Sequence, residues 1–156
     1  MVSQNDLGPP ESQLSQLFEQ APGFLAMLEG PSHVFRLANH SYRSLVGNRE
    51  LIGVPAREAF PELTAAPYLA LLDQVFSSGQ AHIGRRSSLR LAGPGGQARA
   101  ERFIDFVYQP VLGPGGTPSG IFVQGHDVSE LVFVEQRLEA KVRELELERR
   151  IFDTAL

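Results

Sequence analysis

The sequence has 156 residues, which gives room for one globular domain and one appended element. Its composition, 42% hydrophobic and 21% charged, is typical of a globular protein, and a formal net charge of −4 gives no reason to expect a nucleic-acid-binding surface. The chain contains no cysteine, which excludes disulfides, thiolate metal sites, thiol nucleophiles and cofactors attached through sulfur. We find neither the pattern of a signal peptide nor an apolar run of about 18 residues, so the sequence predicts a cytoplasmic protein with no membrane segment.

The first part of the chain predicts a lead-in, a helix and a hairpin. Residues 1–10 are polar with Gly and Pro, and we expect them to be disordered. Apolar residues at helical spacing predict a short helix over 11–20. Two apolar runs, at 24–28 and 34–38, are separated by a turn-rich spacer and predict a β-hairpin.

The middle of the chain predicts several short helices and one longer one. Asn39 is a suitable N-cap, and Gly47 a suitable stop, for a helix between them. Glycine and proline limit the stretch 49–63 to one-turn helices. Over 67–78 apolar residues recur at helical spacing, and Gly79 ends that helix.

Three strands are predicted next, at 80–91, 100–112 and 120–127. A Gly-Pro-Gly-Gly loop separates each from the next, which favours an antiparallel meander. The repeated loop lacks the downstream Lys and Ser/Thr of a phosphate-binding loop, so it does not predict a nucleotide site.

A long helix is predicted at the C-terminal end. Asp127 and Glu130 have the spacing of a capping box, in which the first side chain accepts a helix N–H and the second reaches back. A seven-residue apolar repeat follows, interrupted by Glu135 and Arg149, and it predicts a two-stranded coiled coil and hence a homodimer. The alternative is a single amphipathic helix on the domain's own sheet. The repeat consists of Leu131, Leu138, Leu145 and Phe152, with Val128, Val142 and Leu156 in the partner register.

This order of elements resembles the PAS domain, and specific stretches carry the resemblance. Residues 17–22 resemble the N-terminal segment of PAS domains in bacterial sensor kinases, and the stretches 39–47 and 51–53 resemble those after the second strand. Asp127-Val128-Ser129-Glu130 resembles the family's Asp-Ile/Val-Thr/Ser-Glu motif between the last strand and the exit helix. The resemblance implies an α+β PAS fold: a five-stranded antiparallel sheet with short helices on one face, an N-terminal cap helix and a long C-terminal signalling helix.

The resemblance also implies an organisation and a role. A PAS sensor domain over 11–127 is expected to relay a conformational change through a signalling helix over 128–156 to a downstream domain. Residues 149–156 are similar to the first helix of another PAS domain, so the chain is expected to be the first module of a longer protein. The resemblance favours a histidine kinase of a two-component system as that protein. We expect the fragment itself not to be an enzyme and nominate no catalytic residue.

The residues argue against the cofactors used elsewhere in this family. LOV photoreceptors carry a reactive cysteine where this sequence has the thiol-free stretch 54–60, and Gly125 stands where their flavin-sensing glutamine would be. Haem-binding members take a ligand histidine from the long helix, and 67–78 contains none. The four histidines do not have the spacing of a zinc site. We therefore expect no cofactor, and keep a flavin- or haem-based light or redox sensor as an alternative.

A small organic or anionic ligand remains possible, with a ligand-free dimerisation module as its rival. Strand alternation over 80–91 places Arg85 on the cavity face, where it could pair with an anionic ligand or with Asp105; the alternative is an edge arginine reaching to water. Gly125 would leave room for a ligand or a close helix. The candidate ligand-binding residues are Arg85, Leu72, Phe76, Ile121, Val123 and Gly125. The signal-relay junction is Asp127 and Glu130, and the dimer coil is Leu131, Leu138, Val142, Leu145 and Phe152.

Overall fold

The structure, a computed structural model, describes residues 10–97 and 99–155. Its helices are α1 (Pro10–Gln20), α2 (His40–Val46), α3 (Ala56–Ala59), α4 (Pro67–Ser78) and α5 (Ser129–Ala155). Its strands are β1 (Phe24–Glu29), β2 (Val34–Ala38), β3 (His82–Leu89), β4 (Arg102–Leu112) and β5 (Pro118–Asp127). The predicted lead-in, apart from Pro10, and the coiled-coil position Leu156 lie outside the described residues.

The five strands form one antiparallel sheet in the order β2-β1-β5-β4-β3. The last three strands make the predicted meander, and β1 lies between β2 and β5. Both Gly-Pro-Gly-Gly loops form a 3₁₀ turn. In the second loop Gly115 and Gly116 have φ of 82° and 80°, a left-handed conformation that glycine adopts without steric cost.

Asn39 connects the hairpin to the helical layer and caps α2 as predicted. Its Oδ1 accepts from the N–H of Tyr42, 3.0 Å away, and from the N–H of Leu25 in β1, 2.9 Å away. Its Nδ2 donates to the carbonyl of Gly23 at 3.0 Å. The side chain is fully buried, and this bonding satisfies it. Gly47 ends α2 with φ of 82°, the left-handed cap expected of glycine there.

The hydrophobic core lies between one face of the sheet and the helices α2, α3 and α4. The predicted stripe on α4 supplies Tyr68, Leu72 and Val75 as buried residues, together with Leu69. The sheet contributes the buried side chains of Phe24, Ala26, Leu28, Phe35, Leu89, Ile104, Phe106, Tyr108, Ile121 and Val123. This layer of short helices over the sheet is the architecture that the sequence predicts.

A β-bulge in β3 changes which residues face the core. Gly84 pairs with Phe106 and Ser87 pairs with Ile104, so Arg85 and Arg86 together stand opposite Asp105. Arg86 has φ of 48°, and its N–H donates to the Asp105 carboxylate at 2.8 Å. Because the bulge inserts one residue, inward parity changes along the strand. The uninterrupted alternation predicted for 80–91 is therefore wrong.

Helix α5 is attached to the domain only at its beginning. Val132 is buried, and the ring of Phe133 meets that of Phe103 on β4 edge-to-face at 6.0 Å between centroids. From residue 136 to 154 every residue is exposed. The helix has 27 residues and is about 40 Å long, so most of it projects from the domain. Within the described residues, no helix has the length and apolar character needed to cross a membrane.

Candidate functional site

A small apolar cavity of about 60 Å³ lies between the sheet and the helical layer. Its walls are mostly aliphatic and aromatic, and three tyrosines, Tyr42, Tyr68 and Tyr108, supply the polar atoms. Each comes from a different element: α2, α4 and β4. The cavity therefore touches every layer of the domain, which is the position from which an occupant would alter the packing of the sheet against the helices.

The three phenols differ in their hydrogen bonding. The hydroxyl of Tyr68 donates to the carbonyl of Ser88 at 2.6 Å. Among the described residues, the hydroxyls of Tyr42 and Tyr108 have no hydrogen-bond partner. Burial raises the pKa of Tyr68 to about 12 and places the pKa values of Tyr42 and Tyr108 well above the ordinary range. All three phenols are therefore neutral donors at physiological pH.

Two of the six residues predicted to bind a ligand, Leu72 and Val123, line this cavity. Ile121 is fully buried in the core but is not part of the cavity wall. Phe76 packs at the rim of the core with its ring 5.9 Å from the ring of His33. The alternation of β5 places Ile121 and Val123 correctly inside, but the sequence does not reveal which buried side chains border the empty space.

Gly125 and Arg85 lie elsewhere. A Cβ on Gly125 would lie 2.5 Å from Cζ of Phe24 and would collide with the carbonyl of Asp105. The space beside Gly125 is therefore occupied by the Phe24 ring and by the backbone of β4. The sequence predicted a ligand or a close helix in this space. Arg85 is exposed in a groove with Ile83 and Val107, on the face of the sheet away from the cavity. The bulge explains this position, because it shifts the alternation of side chains between Gly84 and Ser87. Arg85 is thus the edge arginine reaching to water that the sequence analysis gave as the alternative.

The cavity does not fit a flavin or a haem. Pockets for ligands of that size have volumes of several hundred cubic ångströms, roughly 300 or more, against about 60 Å³ here. The described lining contains no thiol and no histidine. Across residues 10–97 and 99–155, no three His, Cys, Asp or Glu side chains are grouped to hold a metal ion.

A second polar cluster lies where β5 becomes α5. The Asp127 carboxylate accepts from the N–H of Ser129 at 2.9 Å and from its hydroxyl at 2.6 Å. The other carboxylate oxygen accepts from Nη2 and Nε of Arg102, at 2.6 and 2.9 Å. Ser129 is fully buried, and its Oγ accepts from the N–H of Phe103 at 2.8 Å. The beginning of the helix is thereby bonded to β4 through side chain and backbone.

These contacts determine the charge of Asp127. Partial burial raises the pKa of its carboxyl group, but the hydrogen bonds from Ser129 and Arg102 outweigh burial. The pKa of Asp127 therefore lies below its ordinary value of 3.8, and the carboxylate is charged at neutral pH. A charged acceptor at the N-terminus of α5 also complements the helix dipole.

The predicted capping box is only half formed. Asp127 accepts from the N–H of Ser129, as a cap should. Glu130 is exposed, and within the described part of the chain its carboxylate makes no hydrogen bond or ion pair. The reciprocal bond from Glu130 is replaced by the bonds that Ser129 makes to Phe103.

Sequence reasoning missed an ion pair one turn further along the helix. Glu135, predicted in the coiled-coil core, binds the guanidinium of Arg86 on the bulge of β3; Nη2 and Oε1 are 3.0 Å apart, and Nη1 bonds Oε2. The sequence carries a signal for the bulge in retrospect: Gly84 through Ser88 is a polar, glycine-containing run that interrupts the alternation. The long-range partner, 49 positions away, has no local signal.

Comparison with known proteins supports the fold and the family. A structure of an RNA-binding Light-Oxygen-Voltage receptor has a TM-score of 0.63 and 20% identity, and aligns to 96% of this chain and 42% of its own. A sensory box sensor histidine kinase from Vibrio cholerae has a TM-score of 0.50 and 19% identity, and the alignment covers 81% of this chain and 95% of the kinase structure. VqmA bound to DPO has a TM-score of 0.56 and 23% identity, and the alignment covers 74% of this chain and 57% of the VqmA chain.

At these identities the structural likeness establishes the fold alone, and the chain spans about two fifths of the length of the receptor. The sequence comparison is more informative, because residues 18–132 match the PAS fold family PAS_4. The matched segment begins within α1 and ends within α5, so it includes the whole sheet, the cavity and the Asp127 junction. The chain therefore belongs to the PAS family.

Proposed function

We propose that this chain is a sensory input module that converts an event at the cavity into a change in the position of α5, and thereby in the output of a downstream domain. The observation that carries the proposal is the junction: Asp127, Ser129 and Arg102 join the final strands to the helix in one hydrogen-bonded cluster. A PAS sensory role follows from the family.

The route begins at Phe106 and Tyr108, which line the cavity from β4. The same strand bears Arg102 and Phe103, which hold the junction. A ligand that accepts hydrogen bonds from Tyr42 and Tyr108 would draw α2 and β4 together, because each phenol belongs to one of these elements. A shift of β4 along its axis would displace Arg102 and Phe103, and with them the start of α5.

The output of this motion is proposed to pass through a parallel coiled-coil dimer. The exposed helix carries an unpartnered apolar stripe, with Leu138 at 62% and Phe152 at 66% exposure. Glu135 faces its own domain, so the two-stranded seam would begin after it, at Leu138, and include Val142 and Leu145. Two packings of such a coil that differ by a few kcal/mol would give a two-state output.

We propose a histidine kinase as the downstream domain and no enzymatic activity for the module itself. The fold shared with the Vibrio cholerae sensor kinase is compatible with this output, as is the heptad helix that leads out of the domain. The fold shared with VqmA, described as bound to DPO, is compatible with a small molecule as the input.

The relay is tested by Asp127→Ala in the parent protein. This variant keeps the cavity and the core, and removes the carboxylate that binds Ser129 and Arg102. We expect the basal output to persist and its response to stimulus to be lost. The matched control is Glu130→Ala, which should respond normally. It removes an exposed carboxylate that makes no hydrogen bond or ion pair among the described residues. A normal stimulus response in Asp127→Ala would contradict the relay.

The small cavity favours a second candidate, a dimerisation module that binds no ligand. A volume of about 60 Å³ is well below the roughly 300 Å³ at which small-molecule pockets begin. Native mass spectrometry of gently purified protein separates the two: a co-purifying small molecule supports sensing, and ligand-free dimers whose population rises with concentration support dimerisation alone.

A further inference from the structure

A second concave site, distinct from the cavity, lies beside the junction. It is a groove of about 650 Å³ between α2 and the segment that connects β3 to β4. Phe24, Leu45, Leu89 and Leu91 line both the groove and the cavity, so these side chains form the partition between the two. Arg99, Arg102 and Asp127 also line the groove. Because Arg102 is paired with Asp127, the groove combines apolar side chains with the uncompensated positive charge of Arg99.

Arg99 is held in place but has no counter-ion. A Cβ on Gly47 would lie 2.6 Å from Cζ of Arg99, and one on Gly93 would lie 3.4 Å from its Cγ, so the side chain packs against both glycines. The residue is half-buried. Among the described residues its backbone N–H bonds the carbonyl of Leu91, and its guanidinium makes no hydrogen bond and no ion pair. None of its nitrogens is among the buried side-chain atoms without a partner, so the guanidinium is open to the water of the groove.

The other arginines of the described chain do not share this situation. Arg43 and Arg49 are also half-buried, and they pair with the carboxylates of Glu19 and Glu62. The remaining described arginines without an ion pair are exposed; they are Arg85, Arg137, Arg143 and Arg150. Arg99 therefore combines a side chain packed against two glycines with a guanidinium that has no carboxylate partner among the described residues, and such a guanidinium can form charge-assisted hydrogen bonds with an anion.

We infer that the groove binds a small amphipathic anion, whose carboxylate pairs with Arg99 and whose apolar body lies on Phe24, Leu45, Leu89 and Leu91. The guanidinium matches a carboxylate in charge and geometry. The volume lies within the range of small-molecule sites, roughly 300 to 1,000 Å³. An aliphatic or aromatic monocarboxylate satisfies both halves of the groove.

The position of the groove gives the anion a route to the signalling helix. Arg102 also lines the groove and holds the Asp127 carboxylate at 2.6 Å. The carboxylate of the bound anion would compete with the carboxylate of Asp127 for Arg102, and this competition would weaken the attachment of α5. This regulatory step rests on the proposed relay, whereas binding of the anion does not.

The test is a titration of the full chain with octanoate, followed by isothermal calorimetry and by amide chemical shifts. Octanamide has the same apolar body without the charge and serves as the matched probe. We expect saturable octanoate binding at least tenfold tighter than octanamide, with shifts at residues 40–47 and 89–102. Arg99→Gln should weaken octanoate at least tenfold. Arg85→Gln, an exposed arginine on the other face of the sheet, should bind octanoate as the unaltered chain does.

Equal affinity of Arg99→Gln and the unaltered chain would overturn the site, and so would equal affinity for octanoate and octanamide. The circular dichroism spectrum and melting temperature of Arg99→Gln show that a loss of binding is not a loss of folding. Shifts at Ser129 and along α5 on saturation report the coupling. If octanoate does not bind but Asp127→Ala still abolishes the response to stimulus, the anion site is wrong and the relay stands. If octanoate binds but causes no shifts in α5, the site stands and its coupling to the helix is wrong.

Discussion

The guanidinium of Arg86, on the bulge of β3, forms a two-point ion pair with the carboxylate of Glu135 in the second turn of α5. The hydrogen bond and the opposite charge raise the pKa of Arg86 and lower that of Glu135. Arg86 is fixed in turn by its N–H bond to Asp105. The pair is the last described hydrogen-bonded contact between the domain and the helix before α5 becomes exposed.

We expect Glu135→Gln and Arg86→Gln to loosen the helix without unfolding the domain. An exposed ion pair contributes little to global stability, so the melting temperature should change little. Amide hydrogen exchange in α5 near residues 133–139 should be faster in each variant than in the unaltered chain. This difference should be smaller at high salt, because salt already weakens the ion pair in the unaltered chain. The double charge reversal Arg86→Glu with Glu135→Arg should restore slow exchange. Unchanged exchange in both single variants would show that the pair does not hold the helix.

Asp127→Asn should reveal the charge of the junction through its pH dependence. The pKa of Asp127 is lowered in the folded protein, so its contribution to stability is fully present above the ordinary value of 3.8 and is lost as the pH falls through the folded value. Asparagine keeps an acceptor for Ser129 and loses the charge that binds Arg102. Urea unfolding should therefore show a deficit in the variant that is constant from pH 7 to about pH 5 and that narrows below pH 4. A deficit that is independent of pH would contradict a charged junction.

The loss of the cap itself is measured by Asp127→Ala at pH 7. Removal of an N-cap acceptor costs roughly 0.5–2 kcal/mol, and the free energy of unfolding should fall by an amount in this range. Ser129→Ala should be at least as damaging, because it removes the Oγ atom that accepts the hydrogen bond from the partly buried N–H of Phe103. If Ser129→Ala were as stable as the unaltered chain, the buried hydroxyl would not be what joins α5 to β4.

The three cavity tyrosines should respond differently to the removal of their hydroxyls. Tyr42→Phe and Tyr108→Phe remove hydroxyls that make no hydrogen bond among the described residues, so neither substitution breaks a described bond. Both variants should therefore be as stable as the unaltered chain or more stable in urea unfolding. Tyr68→Phe loses the 2.6 Å bond to Ser88 and should be less stable, by roughly 0.5–1.5 kcal/mol. Equal destabilisation in all three would mean that Tyr42 and Tyr108 are satisfied in solution.

Local patterns predicted the elements of this fold because each has a local cause. The N-cap at Asn39, the glycine stop at Gly47 and the apolar stripe of α4 all occur where the sequence indicates. Arg85 lies in the water-exposed position that the sequence left as an alternative to the cavity face. The sequence could not decide between the two, because a bulge depends on the pairing of two strands and alternation along one strand does not reveal it. Ser129 belongs to a motif that the resemblance identified, yet its burial depends on β4, which lies 26 positions away in sequence.

The cavity could not be predicted for a similar reason. Aromatic residues at buried positions of α2, α4 and β4 are expected from periodicity, but the space they leave depends on how all three elements pack. Gly125 illustrates the difficulty: a glycine on the inner face of a strand is equally compatible with a ligand and with the Phe24 ring, and only the packed structure assigns the space to Phe24.

The exposed part of α5 gives the sharpest test of dimerisation. If two helices pair through the heptad seam, Leu138→Ala and Leu145→Ala each remove a core contact, and the monomer–dimer equilibrium constant should shift at least tenfold toward monomer. Leu147 is as exposed as these two, at 59% against 62% and 53%, but lies outside the seam. Leu147→Ala therefore controls for the loss of apolar surface and for the change in helix propensity, and it should dimerise as the unaltered chain does. Sedimentation equilibrium measures all three variants under one condition, and equal constants for the seam and control variants would rule out a heptad-mediated dimer.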